Sequence, residues 1–263
     1  MSWSTGIAQV TKDDVIIRGH RLSELVGSVT YSDMAFILIR GDKPTAAERS
    51  MLDAILVTLA DHGISPSSII ARTLASCGTP IQASLAGAVL SIADWHGGTG
   101  EEVGRILKDL MSAAAADSDT DPALAHAELA ASCDLFVAQQ RALKQQIPGF
   151  GHPQHTDGDP RAVQLLGLAE SLNVAGANCR ALSVLGESLE RATGRPALRR
   201  ANVTGALAAI LLDLGFPWQS IRGIVVAARS LGLTAHICEE LEQGNKWRHV
   251  AGEEVNYTGP MPA

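Results

Sequence analysis

A histidine set on a turn and an arginine set at a helix start can share one bound anion. The segment Ile147-Pro148-Gly149-Phe150-Gly151-His152, followed by Asp159-Pro160-Arg161, has the residue types for such a pair. Gly149 and Gly151 open backbone conformations closed to other residues, so the chain can pass close to a bound molecule there. Pro160 suits the first turn of a helix, where its missing N–H is not needed, and Asp159 is a good cap just before it. His152 could then move a proton, since imidazole titrates near neutrality, while Arg161 holds negative charge beside it. In isolation, the same residues also suit an ordinary surface turn carrying a solvated histidine.

A second histidine, His96, ends an apolar run and is followed by Gly97-Gly98. The run from Ile81 to Ala93 is apolar on nearly every side and carries the small residues Ala83, Ala86, Gly87 and Ala88. That pattern predicts a helix covered on all faces, either a central core helix or one at a subunit interface. His62, His96, His152 and His236 share no His-x-x-x-His spacing and no accompanying carboxylate motif, so no metal site is expected. His20, His126, His155 and His249 read as solvated, and His236 suits a structural or a functional role equally.

The elements that must hold these residues are helices. Apolar positions recur at helical spacing over Tyr31–Arg40, Ala46–Ala60, Pro66–Ala75, Leu124–Lys144, Ala162–Leu172, Asn178–Thr193, Asn202–Leu214 and Ile221–Gln243. A further helix starts at Glu101-Glu102. Thr45 and Glu48 form a capping box, and Gly41-Asp42-Lys43-Pro44 and Gly194-Arg195-Pro196 are stops. Val15-Ile16-Ile17 is a brief strand or extended arm, and no alternating run follows it. Asp117 to Pro122 is an acidic surface loop rather than a linker. The fold class expected is all-α.

Composition narrows the partners. The 263 residues can bury a substantial core, in one large domain or two smaller ones. At 46% hydrophobic and only 4% aromatic, that core is aliphatic and alanine-rich. A net charge of −7 argues against nucleic acid or an acidic membrane as a non-specific partner. It leaves a local arginine site for an anion untouched. Cys77, Cys133, Cys179 and Cys238 are scattered without a CxxC pair, so reduced thiols and a cytoplasmic location are expected. The start Met-Ser-Trp-Ser-Thr-Gly has no basic and apolar leader, so no signal peptide is expected. No stretch reaches the ~20 uninterrupted apolar residues of a membrane helix.

Pro148-Gly149-Phe150-Gly151-His152 with Asp159-Pro160-Arg161 resembles the signature of the citrate synthase family. Other stretches match in the same order: Arg18-Gly19 before Leu22-Ser23-Glu24-Leu25, Gly41 to Thr45, Asp61-His62, His96-Gly97-Gly98, Asn202-Val203, Arg229 to Ala235-His236, and Tyr257-Thr258-Gly259. The shortness and the opening Trp-x-Thr are similar to the stand-alone citryl-CoA lyases. The resemblance implies an all-α homodimer with a large helical domain, here 1–97 and 206–263. A smaller mobile helical domain, here 98–205, would be inserted in it.

The resemblance also implies roles. His96 would hydrogen-bond the thioester carbonyl and stabilise an enol or enolate, which is stabilisation of charge that develops in the transition state. His152 would exchange a proton with the carbonyl or alcohol oxygen as the C–C bond forms or breaks. His62 would bind the 2-oxo acid. Arg161, Arg229 and, on a looser match, Arg248 would grip carboxylates by paired hydrogen bonds. Gly149, Phe150 and Gly151 would contact coenzyme A, which enters as a thioester substrate without a metal. The partners implied are a 2-oxo acid or hydroxyacyl-CoA and a second copy of the chain.

Two departures from the family pattern matter. Thr204 stands where the family's Asn-Val-Asp supplies the carboxylate that moves the α-proton of the acetyl group. A threonine hydroxyl has no basic form near neutral pH, and Asp213 lies two and a half turns along the same helix, ~13 Å away by helical rise. Residues 153–158 lack the lysine or arginine with which the family holds the phosphates of coenzyme A, which lowers the affinity expected for it. Loss of a base hurts cleavage less than condensation, because water could protonate the enolate. The reading is therefore a citryl-CoA lyase or similar hydroxyacyl-CoA lyase. A citrate or 2-methylcitrate synthase and a non-catalytic dicarboxylate- or acyl-CoA-binding relative are the alternatives.

Overall fold

The computed structural model describes residues 3–114, 122–151 and 158–262. It opens with an antiparallel meander, β1 (Ala8–Val10), β2 (Val15–Ile17) and β3 (His20–Arg21), in which Ala8 faces Ile17 and Ile16 faces Arg21. β2 is the short strand expected. β1 is exposed along its length, so it carries no buried alternation by which a sequence could announce it.

Helices follow: α1 (Leu22–Leu25), α2 (Tyr31–Ile39), α3 (Ala46–Leu59), α4 (Pro66–Ser76), α5 (Ile81–Leu90), α6 (Thr99–Ala114), α7 (Pro122–Ala142), α8 (Pro160–Ser171), α9 (Ala177–Thr193), α10 (Val203–Asp213) and α11 (Ile221–Glu242). Among the described residues, the extended pairing after β3 is a single bridge between Phe150 and Ala201. The all-α class therefore holds, with the small N-terminal meander added.

Local chemistry sets many of the starts. Thr45 and Glu48 exchange hydrogen bonds at 3.2 and 2.6 Å, the reciprocal box expected at α3. Thr30 and Asp33 do the same at α2. Asp159 accepts from the Arg161 N–H at 3.1 Å, with Pro160 at the first position of α8.

Contact density divides the chain into two compact units, 1–59 with 97–225, and 60–96 with 226–263. In the first, α10 is the central helix. Val203 and every residue from Gly205 to Leu211 are buried, with α6, α8 and α9 packed around them. A helix apolar all round needs such cover. At its far end, the Arg40 guanidinium lies 4.5 Å over the Phe36 ring and donates to the Leu214 carbonyl at 3.0 Å. Phe36 in turn packs on Phe216, with ring centroids 4.7 Å apart.

In the second unit α4 packs on α5, and Ala71, Ala75 and Ala88 meet Leu233 and Ile237 of α11 in one apolar cluster. Burying each of those two α11 side chains contributes about 1.5–3 kcal/mol. Gly87 permits the close approach of α5, since a Cβ there would sit 2.5 Å from Leu74 Cδ1. The core reading of the Ile81–Ala93 run does not hold within this chain. Only Ser84 and Ala88 of α5 are buried, and Leu90 is 82% exposed. A sequence apolar all round demands cover but cannot say who supplies it, and here α10 has it within the chain. The segment Trp218–Glu242 is long and apolar enough to cross a membrane by length and composition, although Arg222 and Arg229 interrupt it.

Candidate active site

In the second unit, four chain segments bring together groups that could bind an anion beside a neutral imidazole. The turn after α5 presents His96, whose Nε2 lies 2.9 Å from the Ser67 hydroxyl. Ser67 is fully buried in the first turn of α4, and the Ser65/Ser68 capping box sets where that turn begins. Burial lowers the His96 pKa below its ordinary value, and the positive charges of Arg229 and His62 lower it further. Arg229 and His62 are thus both near enough for His96 to feel their charge. His96 is held neutral there, able to donate or accept a hydrogen bond without carrying charge.

His62 is exposed, on the loop between α3 and α4. That loop rests on α11 at Gly232, where a Cβ would lie 2.2 Å from the Ala60 carbonyl oxygen. Backbone-to-helix contact of this kind requires glycine. Arg229 is half-buried one helical turn earlier on α11. Two turns beyond Arg229, His236 Nε2 lies 3.0 Å from Asp61 Oδ1.

Beneath these residues runs a buried ionic network that the sequence reading did not foresee. Glu240 is fully buried, accepts a hydrogen bond from Arg248 Nε, and forms an ion pair with Arg72, whose Nε lies 2.6 Å from its other oxygen. Its burial acts to raise the carboxyl pKa, but Arg248 and Arg72 outweigh that and hold it below the ordinary value. Arg248, expected to grip substrate, is engaged with Glu240, and its backbone N–H donates to Ser76 Oγ at 2.9 Å.

In the first unit, the loop before His152 is built onto the N-terminus of α10. Gly149 and Gly151 have φ of +89° and +73°, values that favour glycine. A side chain at Gly149 would also meet Val103 Cγ2 at 3.0 Å and Gly205 Cα at 3.2 Å. The Asn202 N–H donates to the Gly149 carbonyl at 2.9 Å, and its side-chain amide donates to the Gly151 carbonyl at 2.8 Å. The same side chain's oxygen caps α10, accepting from Thr204 and Gly205 N–H at 3.0 and 3.1 Å.

Asp159 ties α8 to this cluster. It is 1% exposed and accepts from the Val203 N–H at 2.9 Å and from Arg161 Nε and Nη2 at 3.0 and 2.9 Å. Burial works against its charge, but Arg161 and the Val203 N–H prevail and lower its pKa. Arg161 is therefore aimed by Asp159, which the sequence marked only as a cap. His152 lies outside the described residues.

Thr204 sits half-buried in the first turn of α10. Asp213 does not stand in for the missing carboxylate. Its two oxygens accept from the N–H groups of Gly176, Asn178 and Cys179 at 2.7, 2.9 and 3.0 Å, capping the start of α9. A cavity of about 540 Å³ lies beside the loop, with Phe150, Leu189 and Leu198 among its apolar walls and Arg141 and Arg195 among its polar ones. Neither arginine was singled out by the sequence, because both lie outside the motif they neighbour.

Comparison with known proteins sets these two clusters in context. The model of the family described as "Citrate synthase, C-terminal domain" matches residues 40–249. Over 233 residues the chain is 28% identical to a citrate synthase of Heyndrickxia coagulans, a match covering 88% of this chain and 57% of that protein. The chain spans a little over half the length of the curated relatives it matches. A solved citryl-CoA lyase from Hydrogenobacter thermophilus is 33% identical, with a TM-score of 0.87, and the match covers 99% of this chain and 96% of that one. An ATP citrate lyase from Methanothrix soehngenii, solved in complex with citrate and coenzyme A, has a TM-score of 0.76 at 19% identity over 99% of this chain and 42% of that one, which is a likeness of fold.

Proposed function

This chain belongs to the citrate synthase family, and from that premise we propose that it cleaves citryl-CoA, or a similar hydroxyacyl-CoA, to acetyl-CoA and a 2-oxo acid. The observation that carries the reading is a neutral His96, oriented by Ser67 beside Arg229 and His62. The sequence adds a threonine in place of a carboxylate at position 204. Those residue types suit an enolate that must be held but need not be generated by a protein base.

In the proposed step His152 removes the hydroxyl proton of the substrate. The O–H electron pair becomes the new carbonyl, and the bond to the acetyl unit breaks. Its electrons pass into the thioester, and the enolate oxygen takes a hydrogen bond from His96 Nδ1, since Nε2 faces Ser67. Water gives the enolate carbon its proton, the task that a carboxylate at position 204 would otherwise perform. Arg229 and His62 hold the 2-oxo acid in this reading, joined by Arg161, which Asp159 aims. Gly149 to Gly151 lie against coenzyme A, and Arg141 and Arg195 of the neighbouring cavity supply the phosphate charge that residues 153–158 lack.

The same proposal makes 98–205 the smaller, mobile domain and the protein a cytoplasmic homodimer. The exposed apolar residues Ile81 and Leu90 of α5 support a second copy as its cover, and four free thiols suit a reducing compartment. Release of oxaloacetate from citryl-CoA by the purified protein, followed through a coupled reductase, is the test. No thioester-dependent release of any 2-oxo acid would overturn it.

A synthase is the second reading, favoured by the similarity to a citrate synthase over 88% of the chain. It ranks lower because abstraction of a weakly acidic α-proton is where Thr204 is least able to help. Under that reading Thr204→Asp raises condensation of acetyl-CoA with oxaloacetate. Calorimetric binding of oxaloacetate and coenzyme A without turnover in either direction would instead identify a non-catalytic binder.

A further inference from the structure

The chemistry above leaves His236 without a task, yet its ring is held from both sides. Nε2 lies 3.0 Å from Asp61 Oδ1, and Nδ1 lies 3.4 Å from Arg72 Nη1. A guanidinium has only hydrogens to offer. Nδ1 must therefore accept, and Nε2 carries the hydrogen that Asp61 receives. The direction of the pair is decided by Arg72 and not by the imidazole.

Arg72 is itself immobile by construction. It is 7% exposed, with Nε on the buried Glu240, Nη2 donating to Gln243 Oε1 at 2.8 Å, and Nη1 also donating to Glu239. A polar chain thus runs from Glu240 through Arg72 and His236 to Asp61. Asp61 immediately precedes His62, and its other oxygen accepts from the Gly63 N–H. Gly63 has φ +65°, so His62 sits between a carboxylate clamped to α11 and a turn that glycine permits. The chain also links the elements bearing the other site groups: Arg72 lies on α4 with Ser67, and His236 lies on α11 with Arg229.

We propose that His236 is a positioning residue. Held in its Nε2–H form by Arg72, it fixes the Asp61 carboxylate and so the direction in which the His62 ring is presented to the 2-oxo acid. The proposal rests on the reading of His62 as an acid-binding group. A merely structural staple would stabilise the fold without setting the geometry of that ring.

The test uses the full chain labelled with ¹⁵N-histidine. In the unsubstituted protein His236 is expected to show a protonated Nε2 and an unprotonated Nδ1. His236→Ala is expected to broaden or shift the His62 ring signals. It should also raise KM for citryl-CoA roughly tenfold while kcat changes less than twofold, the loss of about one hydrogen bond's worth of orientation. His236→Gln is expected to restore both, because its amide donates to Asp61 through nitrogen and accepts from Arg72 through oxygen. Asp61→Ala, which leaves the buried Arg72–Glu240 pair in place, is expected to reproduce the alanine phenotype even if His236→Ala fails to fold. An Nδ1–H form of His236, or His62 signals and KM unmoved by Asp61→Ala, would overturn the proposal. Absence of any turnover in the unsubstituted protein would sink the lyase reading alone, because the ring signals report without it.

Discussion

Ser67 Oγ stands 2.9 Å from His96 Nε2, and the serine is fully buried. One hydroxyl on the first turn of α4 thereby chooses which ring nitrogen of His96 faces outward. Ser67→Ala removes a hydrogen bond of about 1 kcal/mol, with a further penalty where the imidazole nitrogen stays unsatisfied. The expected outcome is a fall in kcat for citryl-CoA cleavage of about tenfold or more, with the far-ultraviolet circular dichroism unchanged.

The lowered pKa of His96 makes a statement about stability. The unfolded chain takes up its proton near the ordinary value of 6.5, while the folded chain resists it. The unfolded state therefore binds more protons below that pH, and stability present above 6.5 is lost as pH falls. The paired carboxylates Asp159 and Glu240 contribute in the same direction, but only below their own ordinary values of 3.8 and 4.5. Urea midpoints measured between pH 7.5 and 5 are expected to decline with acidification, and His96→Gln is expected to flatten that decline.

Asp159 is the group on which Arg161 and the first turn of α10 both depend. Asp159→Asn removes the buried carboxylate charge that Arg161 and the Val203 N–H share. The cost expected is on the order of 3 kcal/mol, as for breaking a buried ion pair from one side. Denaturant unfolding reads that loss, and KM for citryl-CoA is expected to rise with it because Arg161 is no longer aimed.

Gly232 admits the Ala60 carbonyl to within 2.2 Å of where a Cβ would be. Gly232→Ala forces either α11 or the His62 loop to move, with a destabilisation of about 1–3 kcal/mol typical of overpacking. Calorimetric binding of oxaloacetate is expected to weaken, while binding of coenzyme A is retained.

Arg141 and Arg195 line the cavity beside Phe150. If they carry the phosphate contacts, Arg195→Glu is expected to weaken coenzyme A binding about tenfold or more, and rising salt is expected to weaken the unsubstituted protein too. Oxaloacetate binding is expected to stay as it was. An unchanged affinity for coenzyme A would move the phosphate contacts elsewhere.

Much of this protein was legible one residue at a time, because the forces involved are local. The Thr45–Glu48 box, Pro160 behind Asp159, the glycines at 149 and 151 and the helical spacing of the apolar residues each act within a turn or two of chain. Order along the chain also sufficed for the family, through His96-Gly97-Gly98 and the Pro148 to Arg161 segment. Tertiary structure alone decided matters that join distant positions. α5 and α10 are both apolar all round, yet α10 is buried within its own unit and α5 is mostly exposed. Ser67 reaches a histidine 29 residues away, and Arg72 reaches Glu240, His236 and Gln243 across more than 160. No spacing announces such pairs, because a hydrogen bond or ion pair depends on where side chains end up in space and on how much water is left around them.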